Sequence, residues 1–299
     1  MRPIRALLVY FAVVFIGGAL LAPWLFWLAQ WLAGLSPALS ALAAHPFHRF
    51  VDRSLLGVAL LGLWPLLRHC GLRGWAGIGF ATGGHAPAEI LRGFSLGWAS
   101  LACAALLAFL GGVGASAGSH SAAQLSVALL GAALTAVIVG VLEEMLFRGA
   151  LFGILRDAMP WPAALAVSSA VYSLAHFIRS PQSGASVHWY SGLALLQEMF
   201  RHPPGLIPAS LTLFVAGAIL ALAYQRSGAL YFSIGLHAGW IFWLKSWRLF
   251  FHQDGPGKTF WGTDNLLDGW LAFLILLGVF CIVARRRPLN PKRHLTGAH

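Results

Sequence analysis

The sequence predicts an all-α fold, a polytopic membrane helix bundle of about eight transmembrane helices. Three observations carry that prediction. Hydrophobic residues fill 59% of the 299 positions and charged residues only 10%, with a mean hydropathy of +0.75, whereas a soluble domain charges roughly a quarter of its residues. Apolar runs near the twenty or so residues that cross a hydrocarbon core recur along the chain. The basic residues behind a net charge of +11 are dispersed except for a cluster at the C-terminus, which suits a membrane protein whose Lys and Arg set topology.

The spans fall near 6–32, 54–69, 94–114, 123–147, 161–178, 206–225, 229–250 and 266–284. The first follows a basic Met1–Arg5 start but runs on through Trp24, Trp27 and Trp31, too far for a cleaved signal sequence, so it reads as an uncleaved anchor. The second is short and contains Pro65. Residues 70–93 form a Gly-rich connection with Trp75 and Phe80, placed at the membrane interface. Residues 179–205 hold His188, Trp189 and Tyr190, then a short amphipathic stretch ending at Pro203 and Pro204. Gly93–Gly97, Gly149–Gly153 and Gly235–Gly239 are small-xxx-small pairs that permit close helix approach. The organisation is therefore N-terminal helices and an interfacial loop over 1–120, a helix core over 121–250, and a last helix with a basic tail over 251–299. Phe260-Trp261-Gly262-Thr263-Asp264, before the last span, reads as a surface loop with interfacial aromatics.

With eight spans both termini share a side, which then holds thirteen of the twenty Lys and Arg residues against seven on the other. The positive-inside rule places both termini in the cytoplasm, and the chain is expected in a bacterial inner (plasma) membrane. A nucleic-acid partner is not expected, because no binding module is present. Cys70, Cys103 and Cys281 match no zinc or redox spacing and read as small packing residues.

Of nine acidic residues, Glu143 and Glu144 stand adjacent within an apolar span, where a carboxylate is costly and tends to mark function. Glu144 and Arg148 are spaced i, i+4 in the favourable acid-first order for an ion pair. Glu143 projects about 100° away, free to meet another neighbour. A charge cluster at a helix end explains the same residues without chemistry. Two histidines inside spans, His176 and His237, favour the chemical reading. If the fourth and fifth spans turn near Ala158–Trp161, Glu143 and His176 reach similar depth, while His237 falls several ångströms nearer the cytoplasm.

Glu143-Glu144-x-x-x-Arg148, then Tyr172-x-x-x-His176, then His237 within Ser233-Ile234-Gly235-Leu236-His237-Ala238-Gly239-Trp240, resembles the CAAX-protease and bacteriocin-processing (Abi) family. Type II CAAX prenyl endopeptidases are among its members. The resemblance covers roughly residues 123–245. It implies an intramembrane endopeptidase reached from the cytoplasmic face: Glu143 as the base that activates water, His176 sharing that water, Glu144 and Arg148 supporting the site, and His237 stabilising the oxyanion. Tyr172 and Trp240 are the expected substrate-binding positions. Two departures stand out. Tyr172 occupies a place where the family has Phe, and Ile241 occupies one where it has Asn, with Ser233 or Trp240 as candidate replacement donors. Loss of an oxyanion donor typically slows catalysis about 10²–10³-fold.

No cofactor is expected. Glu143, His176 and His237 would be the ligands of a zinc-dependent version, but no H-E-x-x-H helix is present and the resemblance points to a metal-free glutamate mechanism. The expected partners are membrane lipids and a membrane-bound or lipidated protein or peptide substrate. The alternatives are a catalytically weak or inactive member acting as scaffold, immunity or binding protein, which Ile241 favours, and a proton-coupled transporter.

Overall fold

The computed structural model describes residues 2–80, 85–116, 118, 120–177, 186–201, 207–253 and 257–286. Pro203 and Pro204 lie outside the described residues, as does the basic tail beyond Arg286. Helices dominate: α1 (Arg2–Leu35), α2 (Phe47–His69), α3 (Ala86–Leu110) and α4 (Ala122–Ala158), then α5 (Trp161–Phe177), α6 (Ser191–Arg201), α7 (Ile207–Ser227), α8 (Tyr231–Phe250) and α9 (Trp270–Arg285). A long helix therefore stands at each of the eight expected spans, and α6 is the short amphipathic stretch. By length and composition, α1, α2, α3, α4 and α7 can cross a membrane unaided. Helix α5 has 17 residues and α9 has 16, and α8 carries His237, Lys245 and Arg248. The strands β1 (Gly114–Ser116) and β2 (Phe251–Gln253) form one short antiparallel pair.

Three boundaries differ from expectation. Helix α2 begins two turns early, and Pro65 lies inside it without ending it, as prolines do in membrane helices. Helix α3 begins at Ala86 because Glu89 is paired with Arg92 at 2.9 Å and with Arg286 at 2.9 Å, so its charge does not have to stay outside the helix. Helix α4 opens on a capping box, in which Ser121 Oγ accepts the Gln124 N–H at 3.2 Å and Gln124 Oε1 accepts the Ser121 N–H at 3.0 Å. It then continues past Glu144 through a π-helical segment, Met145–Phe152.

The chain divides into two compact units, residues 1–72 with 175–205, and residues 73–174 with 206–299. In the first, α1 and α2 pack as a hairpin: a Cβ on Gly18 would lie 2.9 Å from the Leu55 backbone. Its core joins Ala22, Ala29, Phe47, Phe50, Val51 and Leu195, with Phe26 edge-on to Phe47 and Phe50. In the second, α7 is buried along most of its length, which suits a helix apolar all round.

Helix α8 is held by close backbone crossings. A Cβ on Gly93 would meet Phe232, one on Gly97 would overlap the Leu236 carbonyl, and Cβ atoms on Gly235 and Gly239 would overlap the Ile90 and Phe94 carbonyls. Two of the three small-xxx-small pairs thus face each other across a parallel α3–α8 contact. On its other side α8 meets α4 antiparallel, with Gly140 against Ala238. Because the obstacle at Gly97 is backbone, Gly97→Ala is expected to destabilise by about 1–3 kcal/mol. Gly131, with open space around it, is the control: Gly131→Ala should leave the thermal midpoint in detergent unchanged or slightly raised.

Candidate active site

Two adjacent glutamates reach different environments because successive residues on a helix point about 100° apart. The Glu144 side chain is fully buried, whereas that of Glu143 keeps 26% of its exposure. Glu144 Oε1 forms the i, i+4 ion pair with Arg148 Nη1 at 3.0 Å and also meets His237 Nδ1 at 3.0 Å. Arg148 is itself 2% exposed. Its Nη2 donates to the Gly217 carbonyl at 3.4 Å, and its guanidinium lies 4.4 Å above the centre of the Tyr172 ring. Gly217 is where α7 comes closest to α5: a Cβ there would stand 3.0 Å from Ser169 Cα. With no side chain of its own, Gly217 leaves its carbonyl open to the arginine.

On the far side of the imidazole, His237 Nε2 lies 3.3 Å from the Tyr172 hydroxyl and 3.8 Å from Glu143 Oε2. An ionised carboxylate can only accept, so Nδ1 carries a proton toward Glu144, and with the ring neutral Nε2 is an acceptor. Tyr172 is buried and packs edge-on to Phe147 at 5.1 Å between centroids. Glu143, Glu144, Arg148, Tyr172 and His237 therefore converge from α4, α5 and α8 within the second unit.

The other expected residues lie as follows. Trp240, one turn beyond His237 and buried, donates its indole N–H to Ser100 Oγ at 2.9 Å, and Ser100 donates onward to the Gly97 carbonyl at 2.8 Å. Ser233 donates to the Leu230 carbonyl at 2.9 Å. Trp240 is thus engaged in holding α8 to α3, and the Ser233 hydroxyl is engaged within the first turn of its own helix. Ile241 is half-buried on α8. His176 is half-buried in the last turn of α5, four residues past Tyr172, in the stretch grouped with the first unit. Among the described residues no three His, Cys, Asp or Glu side chains are arranged to hold a metal ion.

The several-ångström offset that a straight-helix count gives His237 does not keep the side chains apart: His237 is bonded to Glu144 at 3.0 Å. Counting straight-helix rise from the α4–α5 turn ignores the π-helical segment that begins beside Glu144, and it ignores helix tilt. His237 lies six residues into α8, about 9 Å from its N-terminal end. That is the end where Arg226 bonds the Arg286 carbonyl at 2.7 Å and Arg286 pairs with Glu89. Sequence reasoning did not find Ser100 or the Gly217 carbonyl, which no local pattern marks. The tyrosine at 172 was itself the signal for a hydroxyl in the site.

Neither the curated proteins nor the solved structures contain a match to this chain. Residues 125–243 match a family model, that of type II CAAX prenyl endopeptidase Rce1-like proteins. That stretch runs from the first turns of α4 into α8 and contains Glu143, Glu144, Arg148, Tyr172 and His237. The chain is a membrane helix bundle whose residues 125–243 are similar to the type II CAAX prenyl endopeptidase Rce1-like family.

Proposed function

We propose that this chain is an intramembrane endopeptidase that hydrolyses a peptide bond of a membrane-bound or lipidated protein, with Glu143 as the base that activates water. The observation that carries the reading is the split between neighbours: Glu144 is neutralised by Arg148 and tied to His237, while Glu143 retains exposure beside the same imidazole. As water attacks the substrate carbonyl carbon, Glu143 takes its proton and the carbonyl electron pair moves onto oxygen. When the C–N bond breaks, that proton passes to the leaving nitrogen, giving an acid and an amine. The chain sits in a bacterial plasma membrane with both termini cytoplasmic, and the N-terminal end of α8, beside Arg226 and Arg286, marks the side of substrate entry.

The oxyanion needs a donor. His237 Nε2 becomes one only when the ring is protonated, and Ser233 and Trp240 are engaged elsewhere. The Tyr172 hydroxyl, 3.3 Å from Nε2, serves as that donor once its O–H turns from the imidazole to the oxyanion. In this reading the two departures from the family pattern compensate: Tyr in place of Phe supplies the hydrogen bond lost with Ile241. A non-catalytic scaffold or immunity role is the second reading, favoured by Ile241 and by the engagement of Ser233 and Trp240.

Mass spectrometry of peptide termini in membranes carrying wild type or Glu143→Gln separates the two readings. Specific cleavages that fall by about 10²–10⁴-fold in the variant support general-base catalysis. Identical profiles alongside a retained cellular phenotype support the scaffold. On a reconstituted cleavage assay, Tyr172→Phe is expected to lower kcat about 10²-fold, and adding Ile241→Asn to that variant should recover most of the loss.

A further inference from the structure

The second structural feature of interest lies in the first unit, away from the carboxylates. Along the α1–α2 hairpin runs a groove of about 640 Å³, within the range of about 300–1,000 Å³ typical of small-ligand sites. It forms where both helices depart from regular geometry. Helix α1 contains a π-helical segment at Val13–Gly17, and α2 carries Pro65 in its interior. Gly62 faces the Tyr10 ring, which a Cβ would approach at 3.2 Å, and the Tyr10 hydroxyl donates to the Ala59 carbonyl at 2.8 Å. These contacts fix the hairpin register, so the start of α1 lies beside the end of α2.

The groove is chemically two-ended. Val9, Val13 and Pro65 make its length apolar, whereas Arg2, Arg5 and His69 line one end. Both arginines and His69 are exposed, and among the described residues none of the three takes part in an ion pair. No acidic residue occurs in Arg2–Val13 or Gly62–His69. Trp64, exposed and with Arg68 5.5 Å from its ring centre, marks the same end as interfacial, where amphipathic rings and arginines settle. From Arg5 to Val13 the groove extends about 12 Å, room for much of one acyl chain.

We propose that this groove is a resident site for an anionic phospholipid, its phosphate held by Arg2 and Arg5 with His69 beside them, and one acyl chain lying over Val9, Val13 and Pro65. Cations that only set topology favour anionic lipid diffusely, without a one-to-one site. The groove joins those cations to an apolar channel of matching direction, which selects a molecule with a negative head and a hydrocarbon tail. This site is independent of the proteolytic reading and stands or falls without it.

The test is native mass spectrometry of the full chain in mild detergent, titrated with palmitoyl-oleoyl phosphatidylglycerol or with phosphatidylcholine of the same chains. The expected result is a single tightly held phosphatidylglycerol adduct, at least about tenfold preferred over phosphatidylcholine. Arg2→Gln/Arg5→Gln should weaken it about 30-fold, at roughly fivefold for each surface cation. Val9→Trp, on an exposed position, should weaken it by filling the channel with both arginines intact. Arg53→Gln, at the opposite end of α2, should have no effect. Size-exclusion profiles and thermal midpoints matching wild type establish that each variant is folded. Equal binding of the two lipids, multiple equivalent adducts, or indifference to the paired substitution or to Val9→Trp would overturn the proposal.

Discussion

A carboxylate withdrawn wholly from water inside a membrane helix persists only if its charge is met. Glu144 is such a group, and its two partners, Arg148 at 3.0 Å and His237 at 3.0 Å, determine much of the surrounding structure. Removing one member of a buried ion pair typically costs about 3–5 kcal/mol, because the other charge is left uncompensated. The guanidinium is in turn placed by the Gly217 carbonyl and the Tyr172 ring. One ion pair thereby ties α4 to α7, α5 and α8, with Glu143 outside it as the carboxylate proposed to take the proton.

That arrangement needs α8 at a fixed height and distance, which small residues provide. Gly235 and Gly239 lie against α3 while Gly93 and Gly97 lie against α8, and Gly140 admits Ala238. His237 stands between these crossings, and Trp240 locks the next turn through Ser100. In hydrocarbon, apolar burial gives helices little reason to associate with each other rather than with lipid. Close backbone packing and the buried polar contacts therefore carry the assembly of this unit.

Much of this was legible in the sequence. Apolar runs located all eight long helices, because a membrane span depends on composition over a length that is hard to mistake. The order Glu143-Glu144, Arg148, Tyr172, His176, His237 pointed to one family, and the i, i+4 spacing to the Glu144–Arg148 pair. What escaped were features set by contacts between distant segments. The start of α3 depends on Arg286 pairing with Glu89, 197 residues away. The height of His237 depends on a π-helical segment and on glycine crossings that a straight-helix count cannot include. Ser100 and Gly217 act through position alone, a hydroxyl and a carbonyl with nothing in their neighbours to announce them.

The central claim is that Glu144 and Arg148 form one structural unit and that Glu143 lies outside that ion pair. A double-mutant cycle on unfolding free energy, measured in bicelles with Glu144→Gln, Arg148→Met and the two combined, tests it most directly. The account predicts that each single change destabilises by about 3–5 kcal/mol. The pair together should cost at least about 2 kcal/mol less than the sum, and Glu143→Gln should stay within about 1 kcal/mol of wild type. Additive losses, or a Glu143→Gln variant as unstable as Glu144→Gln, would contradict it.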